Sequence, residues 1–509
     1  MRPARRAGAV LVSALLLLLA AAGAHADDDA DPYGRVLDEF RRKMQGASVE
    51  KAAEAVRLLD PANPRSLPEL LGVLAKAHWY VRGTAMDALA SVPAGPLRAE
   101  LRLHLLTDED PWVREGVAFA MATGPVPGDA DALVGALDDA DWHVRRTAAR
   151  ALGAIVSKDG VARLVRAFTE ETDLRVRVWV HASLRAVAGR DFGREPTIWR
   201  EWWERNRDRP EWKAQGDEVV REEFAGVPLE TFTVDTPAPS GGRSERPEVF
   251  VLAPFGYTHD WFRPTLDELS DSVRLTYVTL PTISELTGAS GYGPSVPTYP
   301  VDRLAAALED LREKHGAERV VVLASGPTAW IAERYAQRYA KRVAALLLVD
   351  GWLDRTAYGQ ALARLYAQGS ASERWAAELL LGEVPTQHTP EEGLRLRRVF
   401  LTHALAEPRD SEAWRLWRTA ARDTGFVTVP PLEFDRHTRI EIPTLFTFPG
   451  ESPFGGGTAD DLRRIRASFK KPPPVTAVLR DSRGFAHVED PEEFLRVLRG
   501  FLGFAGVLK

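Results

Sequence analysis

The chain of 509 residues contains no cysteine. That excludes disulfides, thiol catalysis, cysteine-ligated zinc, iron–sulfur clusters and a lipidated N-terminal cysteine. It also lacks excess positive charge: 66 Lys plus Arg stand against 72 Asp plus Glu, a net charge of −6. General nucleic-acid binding, which calls for a basic surface, is therefore not expected. The eleven His are scattered, with no H-x-x-x-H and no H-E-x-x-H, so no metal site is expected. Gly455-Gly456-Gly457 has no Lys-Ser or Lys-Thr after it, so it is not a phosphate-cradling loop. No cofactor is implied by any motif. Beyond the N-terminus no apolar run reaches the roughly 20 residues a spanning helix needs, so no stable membrane insertion is expected.

What is present is a globular composition, 45% hydrophobic and 27% charged, in a chain long enough for two to four domains at about 150 residues each. Residues 1–26 read as a cleavable secretory signal. Arg2, Arg5 and Arg6 form a positive start, Val10 to Ala22 is apolar, and Ala24-His25-Ala26 precedes the acidic Asp27-Asp28-Asp29. Cleavage after Ala26 removes three Arg and no acid, taking the net charge from −6 to −9. A secreted or periplasmic protein is expected, without a lipobox Cys or a second transmembrane segment. A retained N-terminal anchor is the plainer alternative.

From about residue 33 to 190 a Val-Arg pair recurs at Val81-Arg82, Val113-Arg114, Val144-Arg145 and Val176-Arg177, in steps of 32, 31 and 32 residues. Acidic residues precede three of the four pairs: Asp108-Glu109-Asp110, Asp138-Asp139 with Asp141, and Glu170-Glu171 with Asp173. An Ala-rich helical stretch follows each. Such a period marks a solenoid of stacked helix pairs, whose units share one continuous core. The acids are placed to cap the second helix of each unit, and the Arg to bridge neighbouring repeats. The pattern resembles HEAT-type repeats, in particular the short units of about 30 residues found in some bilin-attaching lyases. No catalytic signature here supports that chemistry. The resemblance implies a protein partner docked through the solenoid; a structural spacer is the bland alternative.

Gly189-Arg190-Asp191-Phe192-Gly193 ends the repeats with turn residues. Trp199, Trp202 and Trp203 then share one helical face. They suit a helix capping the last repeat better than a carbohydrate or peptide platform. Residues 191–245 are read as this Trp-rich helix plus a linker around Pro237 to Pro247.

Residues 246–509 carry short β-rich runs at Val249–Leu252, Leu275–Leu280, Val320–Leu323, Ala345–Val349, Thr444–Phe448 and Val475–Leu479, separated by helical stretches. This alternation predicts a doubly wound α/β sheet. A mostly helical insertion at about 352–430 looks like a lid. The fold class is therefore multidomain, an all-α HEAT-like solenoid followed by an α/β sheet.

The run Arg319 to Trp352, the segment Ile442 to Glu451 and the run Arg483 to Leu502 resemble the nucleophile elbow, acid strand and histidine loop of α/β-hydrolases, in that order. The resemblance implies a serine hydrolase framework with a G-x-S-x-G turn. Aligned on it, the nucleophile position falls on Gly326. The next residue, normally an oxyanion donor, is Pro327, which has no N–H. The acid falls near Ser452 or Pro453, the histidine on Gly484, and the early oxyanion turn on Ala253-Pro254. The triad is thus degenerate, and no catalytic residue is expected. A displaced triad of Ser325, Asp350 and His487 is the alternative; it requires hydrogen-bond reach of about 3 Å between its members. Asp350 as an ordinary strand-end residue and His487 as a loop residue are its bland readings. Phe255, Gly256, His259 and Ser325 are the expected lining of a ligand cleft, and the loop Gly288 to Pro300 lies beside it. The expected function is an exported binding or scaffold protein, with a protein partner on the solenoid and a small-molecule ligand in the cleft. A serine ester or amide hydrolase and a purely structural envelope protein are the rivals.

Overall fold

The computed structural model describes residues 31–508 except 210, 215–217, 235–245, 255, 282–300, 351–362, 364–365, 368–373, 379–393, 396, 400, 403–406, 408, 421–439, 451–461, 464, 467–468 and 470–471. The signal segment and most of the 352–430 insertion therefore lie outside the described residues.

Helices α1 (Pro32–Met44), α2 (Val49–Val56), α3 (Leu67–Lys76), α4 (Trp79–Ala90), α5 (Pro96–Thr107), α6 (Pro111–Thr123), α7 (Asp129–Ala136), α8 (Trp142–Ile155), α9 (Lys158–Glu170) and α10 (Leu174–Ala188) form the solenoid. The repeated Val-Arg pairs sit on α4, α6, α8 and α10, which pack against one another in a row. Val81, Val113, Val144 and Val176 are all buried. The acids ahead of them cap the helices. Asp110, Asp141 and Asp173 accept from the backbone N–H two residues on, at 2.9, 2.8 and 3.0 Å, satisfying donors a helix start leaves open. The arginines tie repeat to repeat: Arg82 to Glu115 at 2.9 Å, Arg114 to Asp139 at 2.7 Å and Arg145 to Glu171 at 2.8 Å.

Helix α11 (Pro196–Asn206) closes the stack against α9. Trp199 and Trp202 are buried there, and the Trp199 indole donates to the Gly193 carbonyl at 2.7 Å. Their aromatic neighbours are Phe168, Phe192 and Trp212, the environment of a capping helix.

Among the described residues eight strands follow: β1 (Val220–Phe224), β2 (Val227–Val234), β3 (Glu248–Leu252), β4 (Arg274–Thr279), β5 (Val320–Ser325), β6 (Val343–Val349), β7 (Thr444–Pro449) and β8 (Val475–Leu479). They form one sheet in the order β1-β2-β4-β3-β5-β6-β7-β8. β1 and β2 pair antiparallel, as do β2 and β4, and every later pair is parallel. The six expected strands are all present. The linker boundary needs correcting: the sheet begins at Val220, inside the 191–245 stretch. β1 reads Val-Arg-Glu-Glu-Phe and exposes four of its five residues, so an edge strand in water carries no apolar run to betray it.

The parallel strands β3, β5, β6 and β7 are buried on both faces, as crossover helices require. Val249, Val251, Val321 and Leu323 point into a core continuous with that of the solenoid. Phe250, Leu252, Val322 and Ala324 point into a second core, shared with helices α12 (Val301–His315) and α13 (Ala329–Arg338). After β8 come the short α15 (Ala486–Glu489) and α16 (Pro491–Phe504), and α14 (Ser411–Ala420) is a described helix of the insertion.

α14 lies on the solenoid's row of second helices, against α4 and α6. Trp414 sits so close to the Gly83 backbone that a Cβ there would overlap its indole, which is why α4 carries glycine at that point. Trp79 and Tyr80 ring Trp414 and Trp417 at centroid distances of 5.3–6.4 Å. Buried polar groups fix the register. Arg146 on α8 donates to both oxygens of Asp410, at 3.1 and 2.5 Å. Glu115 accepts from Arg82 and Thr147 and bonds to Ser411. A second tie joins the last repeat to the segment after β3: Arg185 meets Asp267 at 2.5 Å, and His181 bridges Asp191 at 3.1 Å and Glu268 at 3.0 Å. Over these helices the solenoid is thus covered by the chain's own second domain.

Candidate functional site

In an open parallel sheet, ligands and chemistry gather beyond the carboxyl ends of the strands. Here that edge is made by the ends of β5 and β6 and by the turn before α15. Ser325 is the last residue of β5 and pairs in register with Val349, so Gly326 and Asp350 follow side by side on neighbouring strands. Both leave their strands in the left-handed region, Gly326 at φ +55° and Asp350 at φ +51°. The sharp turn that places a hydrolase nucleophile therefore has its apex at Gly326, a position with no side chain. Among the described residues, a Cβ on Gly326 would meet no atom within 4 Å.

Thr328 stitches the turn from inside. Its Oγ1 accepts from the Ser325 N–H at 3.1 Å and donates to the Ser325 carbonyl at 2.8 Å. Pro327 offers no N–H to an oxyanion. Ser325 is buried, and among the described residues its Oγ makes no hydrogen bond.

His487, on α15, is buried in an aromatic box of Trp261, Phe262, Phe485 and Phe494, with centroids 5.0–6.1 Å away. Its Nε2 lies 2.7 Å from the Trp261 carbonyl, to which it donates, and its own carbonyl accepts from Thr265 Oγ1 at 2.6 Å. Burial pushes its pKa down to about 4, against the opposing pull of the Trp261 carbonyl, so the ring is neutral at physiological pH. It is a packed core histidine, not the surface-loop residue of the sequence reading.

Asp350 is pushed up to about 8, by burial first and then by the charge of Glu489. A carboxyl so raised is mostly protonated at neutral pH, whereas a triad acid must be an anion to steady an imidazolium. Ser325, Asp350 and His487 share no hydrogen bond among the described residues.

The remaining expected positions scatter. Gly484 lies in the turn ahead of α15. Ser452, Pro453 and Phe255 lie outside the described residues. Gly256 takes φ +78° in the turn after β3. His259 lines a cavity of about 690 Å³ between the two domains, and none of Gly256, Ser325, Gly326, Asp350 or His487 lines it with that residue. This cavity was not legible in the sequence, because its walls come from four segments far apart in the chain. Among the described residues no group of three His, Asp or Glu side chains is placed to hold a metal ion. No described helix is long and apolar enough to cross a membrane.

A family model described as HEAT repeats matches residues 98–185. No curated protein matches the chain. Among solved structures, the chain is similar to a membrane phospholipase A described as a bacterial virulence factor (17% identity, 57% of this chain and 87% of that one, TM-score 0.40). It is also similar to naproxen esterase from Bacillus subtilis (12% identity, 56% and 92%, TM-score 0.40) and to the enol-lactonase of Burkholderia xenovorans (13% identity, 56% and 100%, TM-score 0.38). The repeat match, the row of capped helices and the β1-β2-β4-β3-β5-β6-β7-β8 sheet together give the architecture: HEAT repeats joined to a domain of the α/β-hydrolase fold.

Proposed function

We propose that the protein is an exported binding protein whose hydrolase-type domain no longer performs acyl transfer. The observation that carries this reading is the elbow itself. Its apex is Gly326, its second residue cannot donate to an oxyanion, and His487 spends Nε2 on the Trp261 carbonyl. Covalent acyl transfer needs a nucleophile and a base within hydrogen-bond reach of each other, and no described residue fills either role at that edge. The solenoid has two tasks in this reading. Its second helices hold the hydrolase-type domain, and its first helices, with Leu103 and Leu106 exposed on α5, face outward for a protein partner.

The test is direct. The purified protein is expected to resist labelling by a generic fluorophosphonate and to show no turnover on a broad panel of acyl esters and amides. Labelling that disappears in Ser325→Ala would overturn the proposal in favour of a serine hydrolase.

A further inference from the structure

The cavity between the domains carries an inference that does not depend on the elbow. Its walls come from the solenoid (Phe119, Arg150), from the β1–β2 hairpin (Arg221, Glu230) and from α14 (Arg415, Arg418). At about 690 Å³ it lies within the usual range for small-molecule sites, roughly 300–1,000 Å³. Four of its lining side chains are arginines and two, Glu230 and Asp260, are carboxylates.

Three of the arginines have carboxylate partners. Arg221 reaches Glu230 at 3.1 Å, Arg415 donates to Glu412 at 2.9 Å, and Arg418 lies 3.3 Å from Asp87. Arg150 differs. Among the described residues it makes no hydrogen bond and no ion pair; its guanidinium rests over the rings of Phe119 at 4.4 Å and Trp179 at 5.9 Å. Arg415 lies against the same Trp179 ring at 5.3 Å. Two guanidiniums thus share one indole, and Arg150 makes no ion pair among the described residues. Burial, and then the repulsion of Arg415, pull Arg150 down to about 10. A partly desolvated cation without a partner is costly unless something pairs with it.

We propose that this cavity binds a small anionic ligand whose phosphate or carboxylate group is received by Arg150. The planar guanidinium fork suits either oxyanion, singly or bidentate. The rings of Phe119 and Trp179 hold that fork in place, and Phe119 adds apolar surface for the rest of the ligand. Because the walls belong to both domains, the ligand joins them.

The experiment is a thermal-shift titration of the full chain with inorganic phosphate and with acetate, ionic strength held constant with chloride. A saturable rise in melting temperature with phosphate alone, acetate alone or both supports the proposal and identifies the oxyanion. Arg150→Met is expected to weaken that binding about tenfold or more, the loss that goes with a charge-assisted hydrogen bond. Glu230→Gln removes a cavity carboxylate and is expected to strengthen it about threefold. No saturable shift in the wild-type protein, or unchanged affinity in Arg150→Met, overturns the assignment. If Arg150→Met does not fold, Glu230→Gln decides: tighter binding supports the site and unchanged binding overturns it.

Discussion

Replacing Arg146 by methionine is expected to destabilise the protein by about 3–5 kcal/mol, the cost of leaving a buried charge without its partner. Asp410 is 4% exposed and Arg146 is 3% exposed, so solvent cannot substitute for the missing guanidinium. The pair joins α8 of the solenoid to the first residue before α14. Asp410 has two tasks there: it accepts from Arg146, and its Oδ1 accepts the Glu412 N–H at 2.8 Å as the cap of α14. Burial alone would raise its pKa, but the charge and hydrogen bonds of Arg146 hold it down to about 2. Without Arg146 the Asp410 pKa rises, so the deficit shrinks as the pH falls far enough for Asp410 to take a proton. The second-site variant separates this from simple loss of packing. Arg146→Met with Asp410→Asn keeps a good capping side chain while removing the orphaned charge, and is expected to recover about half of the loss or more. Urea midpoints for the wild type, the two single variants and the double variant measure this coupling. Strict additivity of the single effects would show that the two residues do not act as a pair.

Both domains were legible as elements; their attachment was not. Arg146, Val144 and the acids around Asp139 announce a repeat because they recur at a fixed spacing, and recurrence is a local signal. Asp410 lies 264 residues from Arg146 and has no periodic partner to mark it. The same holds for Trp414, whose place on Gly83 joins two segments far apart in the chain. Five of the six strands that were readable, β3 to β7, are interior and largely buried on both faces, and so are mostly apolar. β1 was not readable, since its residues face water, although the alternation of Val227, Leu229 and Thr231 in β2, one face in and one face out, held a readable period of two. At the elbow, the helix and strand lengths placed the apex on Gly326, and the left-handed backbone is found at that residue. The bland reading of His487 as a loop residue failed because three of the four aromatic side chains that enclose it come from the turn after β3 and from α16. A partner on the solenoid was an expectation from fold type, and fold type does not say which face the rest of the chain occupies.

The tie at the other end of the interface titrates. His181 is 2% exposed and bridges Asp191 and Glu268 through its two ring nitrogens. Burial alone would lower its pKa, but the hydrogen bonds and charges of the two carboxylates outweigh burial and raise it from 6.5 to about 9. Both ring nitrogens then carry protons at neutral pH and both donate. A histidine bound to a proton more tightly in the folded than in the unfolded chain contributes its full stabilisation below pH 6.5, and loses it as the pH rises through about 9. The interval of roughly 2.5 pH units corresponds to about 3 kcal/mol. His181→Gln keeps a similar volume and hydrogen-bonding capacity but cannot titrate. The stability difference between wild type and His181→Gln is therefore expected to shrink by about 3 kcal/mol from near neutral pH to above pH 9, measured by urea denaturation across that range. Because His181 sits on the last repeat and Glu268 on the hydrolase-type domain, the alkaline loss falls on the joint between them, and unfolding of the wild type is expected to split into two steps at high pH. A difference between wild type and variant that stays flat with pH would mean that the bridging imidazole carries no extra proton.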